Sequence, residues 1–65
     1  MPIVTVKMLG GASDEQKEEL MDRITIAMKE VMGKNPEATH VVIDEVSPAN
    51  WGIRGKTVAD IRTGK

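Results

Sequence analysis

From Pro2 to Leu9 the chain alternates: Pro2, Val4, Val6 and Met8 fall on one face of an extended segment, and Ile3, Thr5, Lys7 and Leu9 on the other. This period of two marks a strand. Neither face is wholly polar, so a helix on one side and a neighbouring subunit on the other are expected to cover them. Gly10-Gly11-Ala12 breaks the pattern, and Ser13-Asp14-Glu15-Gln16 follows as an S-x-x-Q capping box with two acids at the positive end of a helix dipole. Leu20, Ile24, Ala27, Met28 and Val31 then recur at three- and four-residue spacing, while Lys17, Glu18, Asp22, Lys29 and Glu30 occupy much of the remaining circumference. With Gly33 as cap and Asn35-Pro36 as stop, the spacing predicts an amphipathic helix over about Asp14 to Met32, roughly 28 Å long.

The run Thr39-His40-Val41-Val42-Ile43-Asp44-Glu45-Val46 is rich in β-branched residues and reads as a second strand. Strand, helix and strand in this order favour a right-handed crossover with parallel strands. One helix covers one face of such a sheet, which leaves the other for a second copy. From Ser47 to Gly55 the chain reads as a loop or short hairpin, and Lys56 to Ile61 as a short helix or an interface arm. The Met residues at 21, 28 and 32 keep helical placement and read as packing, and the Gly10-Gly11 pair is too short for a phosphate loop.

Length sharpens the need for a partner. The 65 residues permit one domain, 1–65, and a domain of that size buries only ~60% of the surface its unfolded chain exposes. Ordering costs roughly 1.5 kcal/mol per residue, and the balance for so small a core ends near zero. With no cysteine and one histidine there is neither a disulfide nor a cysteine or histidine zinc site, so self-association is expected to supply the missing burial. A net charge of −1, mixed in sign, with Trp51 as the single aromatic, argues against nucleic-acid binding. The N-terminus lacks a basic segment followed by a long apolar run, and no stretch approaches the ~18 apolar residues of a membrane span. A cytoplasmic protein that binds no membrane is the expectation.

The candidate chemistry lies at the start. A small penultimate residue permits removal of Met1, after which Pro2 would carry a terminal secondary amine. The reference α-amino pKa near ~7.7–8.0 suits proton exchange close to neutrality, and the ring gives the base a fixed direction. Equally, proline is well tolerated at the first position of a strand because only one ladder donor is lost. Asp44 and Glu45 are adjacent on a strand and point to opposite faces, so one solvated and one structural acid are expected rather than a catalytic pair.

Taken together, Pro2 after Met1, a strand ending in Met8-Leu9, a glycine turn, and Ser13-Asp14-Glu15-Gln16-Lys17 opening a helix resemble the 4-oxalocrotonate tautomerase family. Val42-Ile43-Asp44-Glu45-Val46, followed by Asn50-Trp51-Gly52-Ile53 and Gly55, is similar to that family's second strand and C-terminal hairpin. The resemblance implies an α/β fold of β-α-β subunits, each with two parallel strands, a crossover helix and a C-terminal hairpin. It further implies pairing into dimers with a four-stranded sheet, and a homohexamer built as a trimer of dimers.

It also implies a keto–enol tautomerase with no cofactor and no metal. Pro2 would be the general base, moving a proton between the enol oxygen and a carbon of a small 2-hydroxydienoate or 2-oxo acid. Two family arginines are absent: Ala12 stands where one handles a substrate carboxylate, and His40 where another meets the 2-oxo and carboxylate end. A charge-assisted hydrogen bond contributes roughly 1.5–3 kcal/mol, so both losses weigh against a dicarboxylate such as 2-hydroxymuconate. His40 is either a pH-dependent cation in that role or an edge-strand histidine. Arg54 is either a guanidinium delivered from another direction or a solvated turn residue. Trp51 corresponds to the family's aromatic pocket residue and is otherwise an interface anchor. Lys7, on the strand of Pro2, reads first as a surface or interface lysine. Two other functions compete: a non-catalytic or partner-dependent subunit of a mixed oligomer, and a hydrolytic dehalogenase-like branch, against which Ile53 counts because it stands where a water-activating acid is needed.

Overall fold

In the computed structural model, which describes residues 1–64, the alternating N-terminal segment is strand β1, Ile3–Leu9. Pro2 lies just before it, and its carbonyl accepts the His40 N–H at 2.9 Å. Helix α1 runs Asp14–Met32 with the full capping box: Ser13 Oγ accepts the Gln16 N–H and Gln16 Oε1 accepts the Ser13 N–H. Gly33 closes it at φ 66°, a left-handed conformation that glycine adopts without steric cost. After a short 3₁₀ turn at Pro36–Ala38, strand β2 occupies His40–Val46. Thr39 stays outside β2, because its N–H bonds Pro36 O and its hydroxyl bonds Asn35 O.

β1 and β2 are parallel and in register from Ile3 with His40 to Leu9 with Val46, as the crossover rule requires. One face carries Val4, Val6, Val41 and Ile43, all half-buried on the helix side. The other presents Ile3, Thr5 and Lys7 beside His40, Val42 and Asp44, all exposed. α1 packs over β2 rather than over β1.

The C-terminal arm consists of a 3₁₀ turn at Pro48–Asn50, strands β3 (Gly52–Ile53) and β4 (Lys56–Thr57), and helix α2 (Val58–Thr63). Residues 47–55 thus hold only the first strand and turn of a hairpin that Lys56–Thr57 completes, and the helix of the tail begins at Val58. Ile53 and Lys56 pair across a two-residue turn, Arg54-Gly55, whose φ values of 56° and 78° are positive at both central positions. A tight hairpin of the I′ kind demands this. Glycine accepts it freely, whereas arginine in that region costs about 1–2 kcal/mol. The arm packs chiefly on itself, with α2 against the Pro48–Asn50 turn and β4.

Among the described residues only Val58, 7% exposed, is buried, while Ile3 and Val42 remain 66% and 48% exposed on the open sheet face. The radius of gyration is 15.3 Å and the extents are 47 × 24 × 15 Å, against about 11 Å for a compact chain of this length. The accessible surface, 5070 Å², exceeds the roughly 4,100 Å² of a compact 7.1 kDa monomer. The excess is comparable to one side of a standard protein–protein interface.

Candidate active site

Two groups of expected site residues emerge, in separate parts of the subunit. Pro2 and His40 meet at the edge where β1 and β2 begin, joined by the 2.9 Å backbone bond and by the pairing of His40 with Ile3. Pro2 is half-buried and His40 exposed, on the open sheet face. While Met1 is attached, the Pro2 nitrogen is a tertiary amide with no basicity; removal of Met1, itself 86% exposed, creates the amine. Trp51 and Arg54 belong to the arm. Trp51 is half-buried, and its carbonyl accepts the Val58 N–H at 2.8 Å, which ties the start of the hairpin to the start of α2. Arg54 projects from the exposed turn.

The two acids of β2 divide as strand alternation requires. Asp44 faces Lys7 at 3.7 Å on the open side. Glu45 turns to the helix side and bonds Lys17 at the start of α1. That carboxylate bond, aided by the charges of Glu45 and Asp14, raises the Lys17 ammonium above the ordinary lysine value. A Cβ on Gly10 would stand 3.3 Å from Glu45 Oε2, so the glycine makes room for the pair where β1 ends.

A feature with no counterpart in local sequence pattern is a groove of about 370 Å³ between α1 and the end of β1. Its apolar lining comes from Met8, Ala12, Leu20 and Ile43, and Lys17 and Arg23 bring the cations. Arg23 is bonded to Glu19 at 2.8 Å one helical turn away. Helical spacing alone signals the Glu19–Arg23 pair, but the partners Lys17 and Glu45 are 28 residues apart and only the fold unites them. Among the described residues no set of three or more His, Cys, Asp or Glu side chains is placed to hold a metal ion, and no helix is long and apolar enough to cross a membrane.

Comparison with known proteins accounts for this architecture. Residues 2–61 match the profile of a family described as tautomerase enzyme. The chain is 50% identical to a probable tautomerase of Halalkalibacterium halodurans over 60 residues, covering 92% of this chain and 98% of the relative. It is 43% identical over 61 residues to the 2-hydroxymuconate tautomerase of Bacillus subtilis, covering 94% and 98%. A solved heterohexamer 4-oxalocrotonate tautomerase from Chloroflexus aurantiacus superposes with a TM-score of 0.85 at 31% identity, covering 95% of this chain and all of the other. By sequence and by fold, over nearly its whole length, this chain belongs to the tautomerase family in its 4-oxalocrotonate tautomerase branch and is an isomerase.

Proposed function

We propose that the chain, once Met1 is removed, is a cofactor-independent keto–enol tautomerase with Pro2 as general base. The observation that carries this reading is the family match, which begins at residue 2 and runs through the arm; the exposure of Met1 supports its removal. The Pro2 nitrogen accepts the enol O–H proton as the oxygen becomes a carbonyl, and the same ammonium proton then goes to carbon. The reaction is an isomerisation, with atoms and electrons conserved. General-base catalysis of this kind contributes about 10²- to 10⁴-fold.

Substrate contacts fall to His40 beside Pro2 and to Trp51 and Arg54 from the arm. One chain carries Pro2 and His40 at the β1/β2 edge and Trp51 and Arg54 on the arm, and this reading completes the site from more than one subunit. We place two β1 edges together about a twofold axis, giving the four-stranded sheet that the resemblance implies. The uncovered side of the subunit is at β1, since α1 packs over β2, and a twofold makes the joined strands antiparallel. Three such dimers complete a homohexamer. With Ala12 and His40 where the family has arginines, a small 2-oxo acid with one carboxylate suits the site better than a dicarboxylate.

A second reading has one specific support. The similar Chloroflexus aurantiacus enzyme is a heterohexamer, so this chain would need an arginine-bearing partner if its own sites were incomplete. The test combines intact mass, to establish loss of Met1 and the number of chain types, with ultraviolet-monitored ketonisation of enol phenylpyruvate and 2-hydroxymuconate by the wild type and Pro2→Ala. Turnover that depends on Pro2 in a single-chain assembly supports the tautomerase; its absence supports the partner-dependent subunit.

A further inference from the structure

Once Met1 is removed Pro2 is an end residue, and end residues fray unless something ties them down. The tie here is the Pro2 carbonyl, which accepts the His40 N–H at 2.9 Å. That bond fixes the plane of the peptide between Pro2 and Ile3. In the trimmed chain the ring nitrogen turns only about ψ, the one backbone torsion between it and this plane, so the plane governs where the amine points. Whatever holds the His40 N–H in place therefore holds the base.

The turn before β2 has that task. It hangs from the end of α1, where Gly33 and Lys34 donate to Lys29 O and Met28 O. Asn35 is its centre: Oδ1 accepts the Glu37 N–H and the carbonyl accepts the Ala38 N–H, both at 3.0 Å. Two bonds then close the turn at Thr39. The Thr39 N–H reaches Pro36 O at 3.4 Å, beyond the normal range for such a bond, whereas the hydroxyl donates to Asn35 O at 2.9 Å, within it. The hydroxyl is the firmer closure. It leaves Thr39 extended, at φ −91° and ψ 121°, and the next N–H along the chain is the one that Pro2 accepts. We infer that Thr39 is a positioning residue for the base: its hydroxyl, bonded to Asn35, sets the His40 N–H against the Pro2 carbonyl and so aims the amine from the end of α1. The inference rests on the tautomerase reading, with Pro2 as base, and adds a residue that acts on Pro2 through the backbone.

Thr39→Val keeps the branched shape and removes the hydroxyl, while Thr39→Ser keeps the hydroxyl. Both are compared with wild type and Pro2→Ala on enol phenylpyruvate, as mass-verified protein without Met1. Chain ends open at little cost, so the loss of one hydrogen bond shows directly in the rate. Thr39→Val is expected to lower kcat about two- to tenfold with KM and sedimentation unchanged, and Thr39→Ser to recover most of it. Amide hydrogen exchange gives a readout independent of turnover: in Thr39→Val the His40 amide is expected to exchange faster by a similar factor, while the amides of Val42 and Asp44, further along β2, keep their wild-type rates. An unchanged kcat, an unchanged His40 amide, a serine variant no better than valine, or faster exchange through the whole of β2, the mark of general loosening, each overturns this inference alone so long as turnover depends on Pro2. Equal turnover by wild type and Pro2→Ala overturns it together with the tautomerase reading.

Discussion

The β-α-β portion, residues 2–46, and the arm, residues 47–64, solve the burial problem in opposite ways. The first has long, regular elements and no buried residue, because it is a single sheet with a helix on one side. The second has two-residue strands and a six-residue helix, yet it closes around Val58, the one buried side chain among the described residues. Regularity and self-sufficiency are therefore separate properties here. The regular part is a layer awaiting cover, and the irregular part is a clasp that holds itself. In the proposed enzyme the layer supplies the base and His40, and the clasp supplies Trp51 and Arg54.

Substitutions can break that division or sharpen it. The largest effect is expected at the base: Pro2→Ala should reduce the rate of ketonisation by about 10²- to 10⁴-fold with sedimentation unchanged, whereas Arg54→Ala should act mainly on KM. Loss of one charge-assisted hydrogen bond, about 1.5–3 kcal/mol, corresponds to a fall of roughly ten- to a hundredfold in kcat/KM for carboxylated substrates. Equal effects on kcat from the two variants would erase the distinction. Arg54→Gly should show the same kinetic loss and yet raise the thermal midpoint, since it relieves the left-handed arginine.

Val58→Ala removes two methyl groups from the clasp, at about 0.8 kcal/mol for each buried carbon. Limited proteolysis should then cut the arm first and leave the β-α-β portion intact. The smallest effects are expected at the helix caps. Ser13 and Thr57 each accept an N–H three residues on, both at 3.1 Å, and alanine at either position should cost about 1 kcal/mol. Hydrogen exchange should spread the Ser13→Ala loss through the assembled sheet and confine that of Thr57→Ala to α2. Identical exchange patterns would mean that the clasp is not a separate unit.

The layer was also the legible part of the sequence. Helix α1 has the expected bounds because a capping box opens it and a left-handed glycine closes it, both written within a few residues of each end. The parallel pairing follows from connection length and handedness. Each strand begins one residue later than its alternation suggests: Pro2 has no N–H to give, and the Thr39 N–H is used by the preceding turn. The hairpin stayed ambiguous because two residues are too few to show a period. An arginine in the left-handed turn also sits against local preference, so only the fold reveals it. Within the site, Pro2 stands out in the sequence itself as a candidate terminal amine, His40 and Trp51 are carried by the family resemblance, and Arg54 by its charge in the turn; the structure locates all four without reading out their roles. The groove beside Ala12 escaped because Met8, Ala12, Leu20 and Ile43 belong to four different segments, and no spacing along the chain links them.

A subunit whose described residues bury a single valine has a stability measured in concentration as much as in temperature. If neighbours supply the rest of its core, dilution is a denaturant for it, and a melting midpoint has meaning only beside the subunit concentration at which it was taken. Such a chain would be silent when scarce and switch on steeply as its synthesis passes the assembly threshold.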